Sequence, residues 1–380
     1  MGCGISMFDL TQTASTPKQK NNIVGSRIMS MVTLEPEIWI MNKMKLAIWI
    51  LTAAITGCAM TKEYPITDHY DGKHFFNPGV NTDKAFSDLI KWNMNRAPSE
   101  WPNQVENTFK PSVAHSVAAD ESVVTFINHV TFLIQLQKLN VITDPLFSDR
   151  TSPVQFAGPK RVRKPGLDFD QLPHIDVVLV SHNHYDHMDL PSLKILYKKF
   201  NPLFIVPLGN QKYLKSFSND INVIELDWFQ KTEFKNYEFI LTPAQHWSAR
   251  GLFDRREALW GGFVIQKNQS RIYFVGDSGY NDHTFKDIQK KVGSMSLSLI
   301  PIGAYEPRWF MKGAHMNPDE AVLVHQDVKS KKSIGMHYGT FKLTDEAFDQ
   351  PVKDLEVAKQ KYQIDSFETL EVGQTKSFSF

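Results

Sequence analysis

The sequence predicts an α/β fold: a four-layer αββα sandwich, two β-sheets packed face to face between outer layers of helices. Three observations predict it. From residue 121 onward short apolar runs follow in quick succession, first as hairpins and then alternating with helical patterns. One of them, Ile175-Asp176-Val177-Val178-Leu179-Val180, is nearly all apolar, as a strand covered on both faces must be. The chain of 380 residues is 42% hydrophobic and 22% charged, so it can bury a large core without staples.

Composition also excludes function classes. Against 42 Lys+Arg stand 41 Asp+Glu, a formal charge of +1, which argues against a dedicated nucleic-acid binder. Cys3 and Cys58 are the only cysteines, so neither a disulfide framework nor a cysteine zinc site is available. A single short apolar run excludes a polytopic membrane protein.

That run opens the order of elements. In residues 41–58, Lys43 and Lys45 precede the apolar stretch Leu46 to Thr56, which is too short to span a bilayer and ends in Gly57-Cys58. The segment resembles a bacterial lipoprotein signal peptide, which implies cleavage before Cys58 and acylation of that residue. The chain would then be lipid-anchored in the cell envelope, on a membrane facing the periplasm. Forty residues precede the segment, so translation is expected to start at Met41 or Met44. Two alternatives stand beside this: residues 46–56 as a buried helix, and Met1-Gly2-Cys3-Gly4-Ile5-Ser6 as an N-myristoylation pattern. Residues 1–40 lack hydrophobic periodicity and are expected to be poorly ordered.

Residues 59–120 read as an extended N-terminal wrap with one helix over 84–96. Its aromatics Phe75, Phe76, Trp92 and Trp101 are read as core rather than as an acyl channel. The catalytic domain, 121–380, should then carry strands at 123–127, 132–136, 140–145, 175–180, 203–207, 239–242, 271–275 and 297–301. Helical patterns fall at about 190–200, 210–218, 283–290, 318–328 and 345–362.

The chemistry concentrates in Ser181-His182-Asn183-His184-Tyr185-Asp186-His187, directly after the buried strand. Three histidines and an aspartate in six residues are costly to bury unless they hold a metal. Imidazole and carboxylate suit zinc and similar first-row ions. One tetrahedral ion cannot use so many donors, so two are implied. Further donors stand at later strand ends: His246, Asp277 between Gly276 and Gly279, His337, and His315 just before a helix. Each of these alone would read as a surface histidine or a turn.

The segment His182-Asn183-His184-Tyr185-Asp186-His187 resembles the HxHxDH motif of metallo-β-lactamase-fold hydrolases, and the later order His246, Asp277, His337 agrees. Three stretches narrow the likeness: Asp144-Pro145-Leu146-Phe147-Ser148 leading to Gly158-Pro159-Lys160-Arg161; Asn222 to Trp228; and Pro301 to Met311, then His315 and Asn317-Pro318-Asp319-Glu320-Ala321-Val322. Over roughly residues 75–375 the chain is similar to the N-acylphosphatidylethanolamine-hydrolysing phospholipase D family. The resemblance implies two Zn²⁺ ions, one on His182, His184 and His246, the other on Asp186, His187 and His337, with Asp277 bridging. It further implies headgroup contacts from Tyr185 and His315, catalytic roles for Asp186, Asp277 and His315, a membrane phospholipid as substrate, and a homodimer. Phe126-Ile127-Asn128-His129 stands where the superfamily more usually has Gly-His, and His129 reads as a hydrogen-bonded histidine behind the ligands. The animal enzymes lack a lipoprotein signal, which leaves location and physiological substrate open. The activity implied is hydrolysis of N-acylphosphatidylethanolamine to N-acylethanolamine and phosphatidic acid. Two rivals remain: a lactonase or soluble phosphodiester hydrolase on the same metals, and a non-catalytic lipid-anchored binding protein.

Overall fold

Strands β1 (Glu121–Asn128), β2 (Thr131–Leu136), β3 (Leu139–Thr143), β4 (Val177–Leu179), β5 (Leu203–Pro207) and β6 (Val223–Leu226) build the first sheet of the computed structural model, which describes residues 64–380. The chain's last strand, β14 (Thr375–Ser379), completes it in the order β14-β1-β2-β3-β4-β5-β6. The second sheet takes β7 (Lys231–Phe234), β8 (Tyr237–Thr242), β9 (Gly262–Lys267), β10 (Ser270–Phe274), β11 (Leu297–Pro301), β12 (Lys332–Met336) and β13 (Phe367–Thr369), in the order β13-β12-β11-β10-β9-β8-β7. β14-β1-β2-β3 and β7-β8-β9-β10 are antiparallel; β3 to β6 and β10 to β13 are parallel, with a helix in each crossover except the long connection 144–176 between β3 and β4.

Side-chain alternation explains the layers. In β4 and its extension, Val177 and Leu179 enter the core between the sheets, while Val178 and Val180 enter a second core under helix Leu190–Phe200. The second sheet is covered by helices Thr284–Val292, Pro318–Asp327 and Gln350–Tyr362, through Phe285, Ile288, Ala321, Val322, Leu355 and Ala358. The αββα sandwich is therefore what the buried patterns require.

Several boundaries moved. The last helix starts at Gln350 rather than 345, because Pro351 sits in its first turn and fits only there. The pattern at 210–218 yields a helix only over Gln211–Lys215. Strands β6, β7, β9, β12, β13 and β14 were not expected as strands. β14 reads Thr-Lys-Ser-Phe-Ser, with no apolar alternation; its antiparallel register on β1, Glu121↔Ser379 to Thr125↔Thr375, is a tertiary choice.

In residues 64–120 the one α-helix is Phe86–Met94, and the rest is irregular apart from the isolated bridges Thr67↔Tyr70 and Tyr70↔Phe75. Of its four aromatics only Phe75 is core, at 1% exposure. Phe76, Trp92 and Trp101 are half-buried, which corrects the core assignment. Trp92 stacks on Phe310 with centroids 4.7 Å apart, and Trp101 donates its indole N–H to the Glu346 carbonyl at 2.9 Å; both cap loops. The apolar run 46–56, Cys58 and the Met1–Ser6 pattern lie outside the described residues. Among the described residues no helix is long and apolar enough to cross a membrane.

Candidate metal centre

β4 ends at the rim where β8, β10 and β12 also end, and each strand end delivers a donor. The 182–187 segment leaves β4 and closes one tight turn, with the amides of His187 and Met188 donating to the His184 carbonyl at 3.2 and 2.8 Å. That turn separates two sets of donors. His184 Nδ1 lies 2.9 Å from His182 Nε2 and 3.3 Å from His246 Nε2. On the other side, Asp186 Oδ2 lies 3.5 Å from His187 Nε2 and 3.4 Å from His337 Nε2. Asp277 Oδ2 stands between the sets, 3.1 Å from His187 Nε2, 3.2 Å from His337 Nε2 and 3.8 Å from His246 Nε2.

These spacings fit metal ligation. Four donors placed tetrahedrally at zinc-ligand distances are about 3.3 Å apart, close to the edges seen in both sets. The second carboxylate oxygen of Asp277, Oδ1, is buried with no hydrogen-bond partner, a costly arrangement that a cation relieves. The residues present therefore fit a metal-binding site, with His129 and His315 offering further donor atoms at its edge.

The imidazoles are fixed from behind. Asp144, fully buried, accepts from His187 Nδ1 at 2.6 Å and from the Ser181 amide at 2.7 Å. His246 Nδ1 donates to the Ala314 carbonyl at 2.9 Å, and Asn77 of the wrap donates to the His246 carbonyl at 2.8 Å. Such partners hold tautomer and ring orientation. Backbone strain collects at the same rim: His129 (φ 46°), Asp144 (φ 32°) and His337 (φ 64°) all lie in the left-handed region. Gly303 lets the rim close, since a Cβ there would stand 2.0 Å from the His337 carbonyl oxygen.

Electrostatics differ between the sets. Burial, with the neighbouring imidazoles, pushes His182 and His246 well below the ordinary histidine value, and burial pushes His184 down to about 4. Burial also acts to lower His187 and His337, but the Asp277 and Asp186 charges outweigh it, raising His187 well above its ordinary value and His337 to about 9. Asp186 and Asp277 are held well below the carboxylate range against burial, chiefly by the charge of His187. Burial raises the Asp144 carboxyl, opposed by its donors from His187 and Ser181.

All seven expected ligands thus converge. His315 joins them: its Nδ1 lies 3.8 Å from Asp277 Oδ2, its ring 5.1 Å from that of His246, and burial pushes it down to about 4. Tyr185 makes its contacts elsewhere, donating to the Arg250 carbonyl at 2.9 Å with the Arg250 guanidinium 4.2 Å over its ring. His129 packs beside the second set, where its ring also acquires a strongly lowered value, about 3, through burial and the nearby His337. Asp144 is the residue sequence reasoning did not single out as part of the site. Its signal was an Asp-Pro at a strand end, but only the parallel register Thr143↔Leu179 puts it behind His187.

Comparisons with known proteins agree with this geometry. Residues 139–338 match the family described as Beta-lactamase superfamily domain. The chain is 41% identical over 280 residues to N-acyl-phosphatidylethanolamine-hydrolyzing phospholipase D 1 of Caenorhabditis elegans, covering 68% of this chain and 78% of that protein. It is 39% identical over 225 residues to the mitochondrial N-acyl-phosphatidylethanolamine-hydrolyzing phospholipase D of Saccharomyces cerevisiae, covering 58% of this chain and 48% of that one. Among solved structures, Igni18, a metallo hydrolase from the archaeon Ignicoccus hospitalis, superposes with a TM-score of 0.52 at 19% identity, over 68% of this chain and 99% of Igni18. That last likeness speaks for the fold.

Proposed function

Because this chain belongs to the β-lactamase superfamily and is a metal-dependent hydrolase, we propose that it is a di-zinc phosphodiesterase cleaving N-acylphosphatidylethanolamine in the phospholipase D manner. The observation that carries the reading is the convergence of seven donors into two sets joined by Asp277, in a chain 41% identical to a relative named for that activity. His182, His184 and His246 would hold one ion and Asp186, His187 and His337 the other. Bound there, two divalent ions supply Lewis acidity toward a phosphoryl oxygen and a nucleophile from water near neutral pH.

The chain's own residues do the rest. Water's oxygen bonds to phosphorus as the bond to the N-acylethanolamine oxygen breaks; that oxygen takes a proton, and phosphatidic acid leaves. Asp186, at the partly open edge of the cluster with 16% side-chain exposure, is placed to take the proton from water. His315 is neutral at pH 7, so it serves the phosphoryl oxygens as an N–H donor rather than as a cation. Tyr185 acts on the headgroup through the loop it braces at Arg250. We place the enzyme on a membrane through an acyl anchor at Cys58, beside its lipid substrate.

The test is mass spectrometry of products from purified N-acylphosphatidylethanolamine, with lactones and a soluble phosphodiester in parallel, each with and without chelator. Chelator-sensitive release of N-acylethanolamine and phosphatidic acid is expected. Turnover confined to lactones or to the soluble ester would replace the substrate assignment while keeping the metals. Cys58→Ala should move the protein from the membrane to the soluble fraction; unchanged fractionation removes the anchor.

A further inference from the structure

His129 sits in the tight turn between β1 and β2, 1% exposed, and the site as described gives it no task. Its backbone is strained into the left-handed region and tied at both ends: the amide donates to Thr340 Oγ1 at 3.1 Å, and the carbonyl accepts from the His337 amide at 2.7 Å. Its ring lies 4.1 Å, centroid to centroid, from that of His337 and meets Phe341 edge-on at 5.4 Å. Its Nε2 is 3.3 Å from Asp186 Oδ2. Among the described residues these contacts fall on the second donor set and its supports, while the first set is supported by Ala314, by Asn77 and, at His182 Nδ1, by the Ser181 hydroxyl at 3.0 Å.

The tautomer follows from the partners. Nδ1 of His129 is buried with no hydrogen-bond partner. With the proton on Nδ1, an N–H would be buried without an acceptor, the costlier of the two orphans. The proton therefore belongs on Nε2, where Asp186 accepts it. An Nε2 that carries a proton has no lone pair for a metal, so His129 does not ligate. It can only orient.

We propose that His129 is a positioning residue that governs occupancy of the second metal position alone, by donating Nε2–H to Asp186 and backing the ring and backbone of His337. The inference rests on the two-position reading of the centre and not on any substrate. Asp186 and His337 are two of the three ligands peculiar to that position. Fixing both from one residue makes the second ion the sensitive one, and leaves the first to its own supports.

Two substitutions separate the role from packing. An Asn amide nitrogen falls near where Nδ1 was, too short to reach Asp186, and Asn tolerates the left-handed backbone. A Gln amide nitrogen reaches the place of Nε2 and can donate there. The readouts are zinc stoichiometry against a competing chelator, the visible spectrum of the cobalt-loaded protein, and the melting curve of the zinc-free protein as a fold control. His129→Asn should weaken the second zinc by roughly 10–100-fold, as loss of outer partners does, with the first unchanged. His129→Gln should recover most of that loss. The proposal is overturned if His129→Asn binds both ions as the parent does, if both ions weaken together, or if Gln rescues nothing. A parent that binds only one zinc is seen in the control and defeats the two-position reading itself, before any variant is compared.

Discussion

At the first donor set three imidazoles gather with no carboxylate of their own; at the second, Asp186 joins His187 and His337, and Asp144 stands behind His187. The first set is held by the Ala314 carbonyl, the Asn77 amide and the Ser181 hydroxyl, which lies 3.0 Å from His182 Nδ1. The second is held by charge. The difference shows in the histidines: burial depresses His182, His184 and His246, whereas carboxylates lift His187 and His337 against the same burial. One set of imidazoles alone and one that includes a carboxylate, with Asp277 between them, give two donor clusters of unequal field within one rim. The neutral set depends on Asp277 for any compensation of cation charge.

The sharpest way to break the comparison is at the shared residue. Asp277→Asn should cost orders of magnitude in turnover and bring metal content below one ion per chain, measured by elemental analysis beside a rate assay. Near-normal turnover would remove the two-metal arrangement. Gly303→Ala should come next, because its Cβ would meet the His337 carbonyl at 2.0 Å and backbone cannot yield cheaply. The second ion should be lost and the melting temperature should fall, with the first ion retained. Loss of both ions would mean the rim moves as one piece. Asp144→Asn should weaken the second position by roughly 10–100-fold in zinc affinity, and the first position less, because it reaches His182 only through the Ser181 hydroxyl. Asn77→Ala is its counterpart at the neutral set. A hydrogen bond to a main-chain carbonyl contributes about 1 kcal/mol, so a few-fold weakening of the first ion is expected. Equal effects of Asp144→Asn and Asn77→Ala on both ions would erase the distinction between the sets.

The smallest effect concerns the wrap that carries Asn77. His69 lies between Asp68 and Asp227, at 2.6 and 2.7 Å, and stacks on Trp228 at 4.4 Å. Burial lowers its affinity for a proton, but the hydrogen bonds its ring donates to Asp227 and Asp68 prevail and raise it above 6.5. A raised histidine contributes stability that is fully present below pH 6.5 and fades as pH rises through the raised value. The melting-temperature gap between the parent and His69→Phe should therefore be widest in mild acid and shrink toward alkaline pH. A gap that does not change with pH would assign His69 to packing alone.

Much of the fold was legible because burial writes itself into sequence. The run 175–180 is apolar at both parities because both of its faces are covered, and that sufficed to predict layers on either side. β14 was illegible for the opposite reason: four of its five residues are polar, Phe378 alone enters the core, and only a free edge on β1 makes them a strand. The site divides in the same way. Ligands packed into one short segment announce themselves, because no solvated loop gathers them without cause. Asp144 and His129 stand apart from the 182–187 cluster; an Asp-Pro at a strand end and a histidine after Asn128 are signals, but neither names the residue it supports.

By itself, then, the sequence determined the layered α/β class and the 182–187 donors, since apolar periodicity and clustered ligand types are local properties; the distant partners His246, Asp277 and His337 were named through the family resemblance. Only the tertiary structure decided which donors stand together, which carboxylate stands behind which imidazole, and where His129 points. Those are distances between strand ends that meet at one rim, and parallel registers such as Thr143↔Leu179 fix them where no local spacing can.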